Sequence, residues 1–186
     1  MATITKTVNV RKLVYLAILT ALVILLQLVF APLIGSATGL SPALVFIPIV
    51  LGVSVCGIFG GAWLGAVFSF IVLFDPTTVP FFEYRPFFTV LLVFMKGVGA
   101  ALIAGLIFKL LRNKNRYVAI TLAALAAPVV NTAIFVLGCY AFFLELTGVE
   151  IYALFTTVNF GVEVAVNIIM VPVVYRILEV SKISLN

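Results

Sequence analysis

Long apolar runs separated by short polar stretches organise this chain, at Leu13–Ile34, Ala43–Gly57, Phe59–Phe74, Phe87–Leu111, Val118–Leu144 and Tyr152–Leu178. A membrane helix needs about 20 largely apolar residues. The pattern therefore predicts an all-α integral membrane protein, with six transmembrane helices forming a single domain over residues 1–186. The second and third runs nearly meet, which puts their boundary near Cys56–Gly61. Pro48 interrupts the second run, and a proline inside a span removes a backbone donor that neighbouring groups must replace.

Charge tests the count independently. Nine of the eleven basic residues fall into three clusters: Lys6, Arg11 and Lys12; then Lys109, Arg112, Lys114 and Arg116; then Arg176 and Lys182. Basic residues flanking spans stay in the cytoplasm, so an even number of spans must separate successive clusters. Four and two satisfy the rule, and both termini are expected to be cytoplasmic. The opposite loops, Asp75–Arg85 and Glu145–Glu150, hold four of the six acids and, of the bases, Arg85 alone. The expected location is a cell membrane, crossed several times. A basic flank and the small residues Gly35-Ser36-Ala37 give the first run some likeness to a secretory signal. Its apolar stretch exceeds the about 7–15 residues of a signal core, and its removal would spoil the charge parity.

Composition agrees with the pattern. Hydrophobic residues make up 65% of the chain and charged residues 9%, with a mean hydropathy of +1.37. That leaves too few polar side chains to cover a soluble globule. A net charge of +5 serves topology and contact with lipid headgroups, and no nucleic-acid motif accompanies it. With no histidine, and with Cys56 and Cys139 isolated in apolar stretches, neither a metal site nor a redox CxxC is available. No phosphate-binding GxxxxGK[ST] loop is present, so ATP-driven work must come from a partner. Hydrolytic chemistry inside the membrane would need a nucleophile with its base, or paired acids, and Glu163 is the one acid placed within a run. No enzyme, and no cofactor, is expected.

Polar side chains within spans are costly in lipid and mark function by default. Lys96 lies in the fourth run and Asn131 near the middle of the fifth. In the sixth, Asn159, Glu163 and Asn167 are four residues apart, which places them on one helical stripe. Two readings stay open. Lys96 and Glu163 can pair across helices while the asparagines bond neighbouring backbones, purely as packing. Alternatively the five converge on an outward-facing cavity, where Lys96 meets an anionic group and the others meet hydroxyls or amides. The outer stretch Pro80–Phe88, with Phe82 and Tyr84, suits a stiff aromatic lid over a small molecule, or an aromatic belt at the headgroup boundary. Small residues mark close helix approaches: Gly57, Gly61 and Gly65 in one ridge, Gly97, Ala101 and Gly105 in another, and an AxxxA at Ala17 and Ala21.

Three stretches together carry a family resemblance: the basic start running into Arg-Lys-Leu-Val-Tyr-Leu-Ala17-Ile-Leu-Thr-Ala21, the run from Ile47 to Phe70, and Pro128 to Gly138. With six expected spans, the chain resembles the S component of an energy-coupling factor vitamin transporter over essentially its whole length. The resemblance implies a subunit that captures a vitamin in an outward-facing pocket built by helices four to six and outer loops. It further implies association with a transmembrane coupling component and two ABC ATPases, toppling in the membrane to deliver the cargo, and docking of the coupling component on Ala17 and Ala21. Within the family the chain looks most like the pantothenate-specific group, with Lys96 and Asn131 as partners for the carboxylate and for an amide or hydroxyl. Residue chemistry alone reaches only a small, polar, anionic molecule. Pyridoxine, a hydroxymethylpyrimidine and folate remain alternatives, as do a solitary transporter and an interaction-only membrane subunit.

Overall fold

A computed structural model describes residues 10–33, 44–146 and 149–180, the side chains of 149–158 and 180 excepted. In hydrocarbon every backbone polar group must bond within its own segment, so the apolar runs become helices. They are α1 (Val10–Leu25), continued by a π turn at Leu26–Phe30; α2 (Phe46–Val72); a 3₁₀ turn at Pro76–Thr78; α3 (Val79–Tyr84); α4 (Pro86–Leu111); α5 (Arg116–Phe142); and α6 (Val149–Val180). No strand occurs among the described residues. Five helical stretches there are long and apolar enough to cross a membrane: Val10–Leu33, Phe46–Val72, Pro86–Leu111, Arg116–Phe142 and Asn159–Glu179. The chain is an all-helical, multi-pass membrane protein.

The second and third apolar runs share α2, but α2 is not a straight rod. At Gly57 the backbone takes φ 79° and ψ −173°, a conformation essentially reserved for glycine. Beyond it the chain doubles back. Leu64 packs against Gly52, and Val53 packs against Gly61. A straight helix rising 1.5 Å per residue would hold those pairs about 18 and 12 Å apart. The expected boundary thus falls at Gly57, between a first arm, 46–56, and a second arm, 58–72. Pro48 needs no compensation from its neighbours. It is the third residue of α2, where the missing N–H would have had no partner within the helix.

Contacts along the rods fix their relative directions. In the first arm, the Cys56 thiol donates to the Lys12 carbonyl oxygen (3.5 Å), while Leu19 of α1 lies near Gly52, so this arm is antiparallel to α1. The second arm is antiparallel to α4, with Gly65 facing Gly97 and Ile58 facing Gly105. Gly138 of α5 sits against Leu92 of α4, and Tyr117 packs edge-on against Tyr175, ring centroids 5.3 Å apart, where α5 meets α6. Lys12, the Lys109–Arg116 segment and Arg176 consequently gather at one end of the bundle. Asp75, Glu83, Arg85 and Glu145 gather at the other.

The anticipated glycine ridge of the third run divides its work. Gly57 makes the reversal, Gly61 admits Val53 of the first arm, and Gly65 lets the second arm touch α4. A Cβ on Gly65 would lie 2.6 Å from the Gly97 carbonyl oxygen and 3.0 Å from the Ala101 Cβ. Ser69 sews the same contact by donating to Gly65 O (2.8 Å) and Val93 O (3.0 Å). Around it Ala100, Ala104, Ala119, Ala123 and Ala127 are fully buried, and such small side chains bring α4 and α5 within close packing distance.

The Asp75–Arg85 stretch is helical rather than an irregular loop. Asp75 caps the 3₁₀ turn, accepting from Thr77 N (2.9 Å) and Thr77 Oγ1 (2.6 Å). Prolines occupy the first turns of α3 and α4, where their fixed φ suits a helix start. Thr89 donates from Oγ1 to the carbonyl oxygens of Phe81 (2.7 Å) and Arg85 (2.9 Å), holding α3 against the head of α4.

Candidate functional site

A cavity of about 200 Å³ lies at the acidic end, under the Asp75–Thr78 turn and α3. Every layer of the bundle contributes to it: Gln27 from the π turn, Phe68 and Val72 from the second arm, Phe81 from α3, Thr89, Leu92, Val93 and Lys96 from α4, Asn131, Phe135 and Phe143 from α5 and its end, and Asn159 and Glu163 from α6. Its upper wall is aromatic. Phe81 meets Phe143 and Phe135 edge-on, with centroids 5.1 and 5.8 Å apart.

The polar groups below that wall are sparsely matched. Lys96 Nζ stands 4.6 Å from the centroid of the Phe135 ring, a cation–π contact. Among the described residues no salt bridge within 4 Å joins Lys96 to Glu163 or to any other acid. Glu163 and Asp75, which line the same cavity, still attract the Lys96 charge. Asn131 Oδ1 and Asn159 Oδ1 are buried without a hydrogen-bond partner among the described residues. A buried acceptor left unmatched costs about 1–3 kcal/mol, so these oxygens favour a guest that brings O–H or N–H donors.

Four of the expected site residues, Lys96, Asn131, Asn159 and Glu163, line this cavity. Asn167, one turn beyond Glu163 and 2% exposed, is not in the lining and donates from Nδ2 to the Glu163 carbonyl oxygen at 2.8 Å. Of the lid aromatics, Phe82 points outward at 42% exposure. Tyr84 lies beside the cavity, donating from its hydroxyl to Glu145 (3.0 Å), while Arg85 reaches the same carboxylate at 3.7 Å. Together they clasp α3 to the end of α5. The lid residue facing the cavity is Phe81, neighbour of both, and only the pitch of α3 distinguishes the three. Gln27 and Thr89 escaped the sequence reading. Gln27 had the same signal as the asparagines, a polar side chain inside an apolar run.

A second concavity lies on the lipid-facing side, nearer the basic end. It is an apolar groove of Leu13, Leu16, Ala17, Thr20, Ala21, Ile24 and Trp63. Ala17 and Ala21 are both exposed in it, and Trp63 Nε1 donates to Thr20 Oγ1 (3.1 Å), bracing its rim.

Residues 11–175 match the family described as ECF transporter, substrate-specific component. The chain belongs to that family. The match spans the described parts of α1 to α5 and most of α6, so cavity and groove both lie within the substrate-specific component. No curated protein matches the chain. Membership makes it a vitamin-binding membrane subunit of a transporter rather than an enzyme, and implies association with the transmembrane component and ATPases of such a transporter.

Proposed function

We propose that this substrate-specific component captures a small anionic vitamin, pantothenate by preference, from the outer side of a prokaryotic plasma membrane. One observation carries the reading: Lys96 stands in a buried cavity without a salt bridge among the described residues, beside asparagine oxygens that lack donors. A carboxylate matches the ammonium group. Hydroxyl and amide N–H groups match Asn131, Asn159 and Glu163, and a compact aliphatic centre rests on Phe81, Phe135 and Phe143. Pantothenate carries all three features. Pyridoxine and a hydroxymethylpyrimidine bring hydroxyls but no carboxylate to meet the Lys96 ammonium group.

The two arms of α2 count as separate passes in this reading, which gives six spans with both termini in the cytoplasm. The gathering of basic residues at one end of the bundle supports it, as does the cavity's position at the acidic end. Delivery then depends on a coupling component and two ABC ATPases, with Ala17 and Ala21 as the docking face.

Binding of radiolabelled pantothenate to the purified chain in detergent tests the substrate. Saturable binding, competed poorly by pyridoxine, is expected; saturable binding of pyridoxine alone would replace the assignment. Replacing Ala17 and Ala21 together by Trp is expected to abolish copurification of the coupling component and ATPases, with pantothenate affinity kept within about twofold. Parallel loss of both would mean that the alanines serve the bundle itself. Purification of the wild type without any such partners would favour a solitary transporter.

A further inference from the structure

The π turn at Leu26–Phe30 changes which residues of the first span look inward. In an α-helix, residues four apart are offset by about 40° around the axis. The row Leu19, Val23, Gln27 and Ala31 would therefore drift by about 120°, and Ala31 would come round to within about 40° of Ala17. Ala17 is exposed in the apolar groove. Ala31 nevertheless is only 4% exposed, in line with Leu19 at 8% and Val23 at 0%. The wider π turn, with its hydrogen bonds to the fifth residue rather than the fourth, absorbs the drift and keeps the row facing the bundle. Gln27 is the member of that row that lines the cavity.

Gln27, within this turn, thus presents a carboxamide to the cavity. A carboxamide both donates and accepts. It complements a hydroxyl or an amide, and leaves a carboxylate to Lys96. We propose that Gln27 contacts the neutral polar end of the bound molecule and sets specificity for its hydroxyls. The helix that carries the Ala17–Ala21 groove then also touches the cargo. This assignment rests on the cavity being the pantothenate site.

The test compares pantothenate with an analogue lacking both hydroxyls, titrated against the wild type and Gln27→Leu in detergent. Gln27→Leu is expected to weaken pantothenate about tenfold and to leave the analogue within about twofold, because its partner groups are already gone. Equal weakening of both compounds would make Gln27 a structural residue and overturn the assignment, as would no change in either. A wild type that binds neither compound removes the pantothenate reading and this assignment with it. Binding of pantothenate by the wild type with an unselective Gln27→Leu effect removes this assignment alone. Should Gln27→Leu fail to fold, Gln27→Met, which keeps the stem, runs the same comparison.

Discussion

Toward the basic end of the bundle, Val53, Leu64, Ala104, Phe108, Ile120 and Leu178 are each at most 2% exposed. Ser54 donates to Val50 O (2.8 Å) within its own helix. Toward the acidic end the same helices diverge around a cavity in which, among the described residues, amide oxygens have no hydrogen-bond partner and Lys96 makes no salt bridge. The difference separates two uses of buried surface. Close-packed apolar and small residues hold one end shut, whereas unmatched amide oxygens in the cavity leave the other end poised for a guest that completes them.

The sharpest way to break this contrast is Lys96→Met, which keeps the apolar stem and removes the charge. It is expected to weaken pantothenate binding by about 2–5 kcal/mol, the cost of truncating one partner of a buried charged pair, while the thermal midpoint of the empty protein stays near that of the wild type. A destabilised Lys96→Met restored by adding Glu163→Gln, with affinity unchanged throughout, would instead return Lys96 to a packing role.

The reverse pattern is expected at the closed end. Gly65→Leu must drive a side chain into the Gly97 carbonyl and the Ala101 methyl, and overpacking of this kind costs about 1–3 kcal/mol or more. Thermal unfolding in detergent should show that loss, and any protein that remains folded should bind with near wild-type affinity. Gly57→Ala isolates the backbone contribution, since an added Cβ there meets nothing within 4 Å. Its cost is conformational alone, about 1–3 kcal/mol, read as a lowered thermal midpoint. An unchanged midpoint would mean that the reversal does not depend on glycine. The smallest effect belongs to the rim. Tyr84→Phe removes an exposed hydrogen bond to Glu145 while Arg85 still reaches that carboxylate, so less than about 1 kcal/mol is expected. A rise in the pantothenate off-rate of about threefold or less would fit; a much larger one would make the clasp part of the site.

Helix placement was legible in the sequence because hydrocarbon imposes one local rule on every span. Asn131, Asn159 and Glu163 stood out for the same reason, as polar groups in apolar runs. Residues that reach the cavity through helix pitch were harder to read. Phe81, Phe82 and Tyr84 are near neighbours of similar character, and α3 turns Phe81 inward. Asn167 shares a stripe with Asn159 and Glu163, yet lies outside the lining and bonds to the backbone of its own helix.

By itself, then, the sequence determined that the chain is helical and membrane-embedded, where its basic residues cluster, and which polar side chains lie within spans. Those properties depend on composition within a window of about 20 residues, the thickness of the bilayer core. The reversal at Gly57, the π turn beside Gln27 and the gathering of Lys96, Asn131, Asn159 and Glu163 around one cavity were decided by the tertiary structure. Each depends on what a distant helix presents at that point, because a glycine becomes a turn, a helix changes its winding and polar side chains of different helices meet only where the surrounding packing makes that arrangement the least costly.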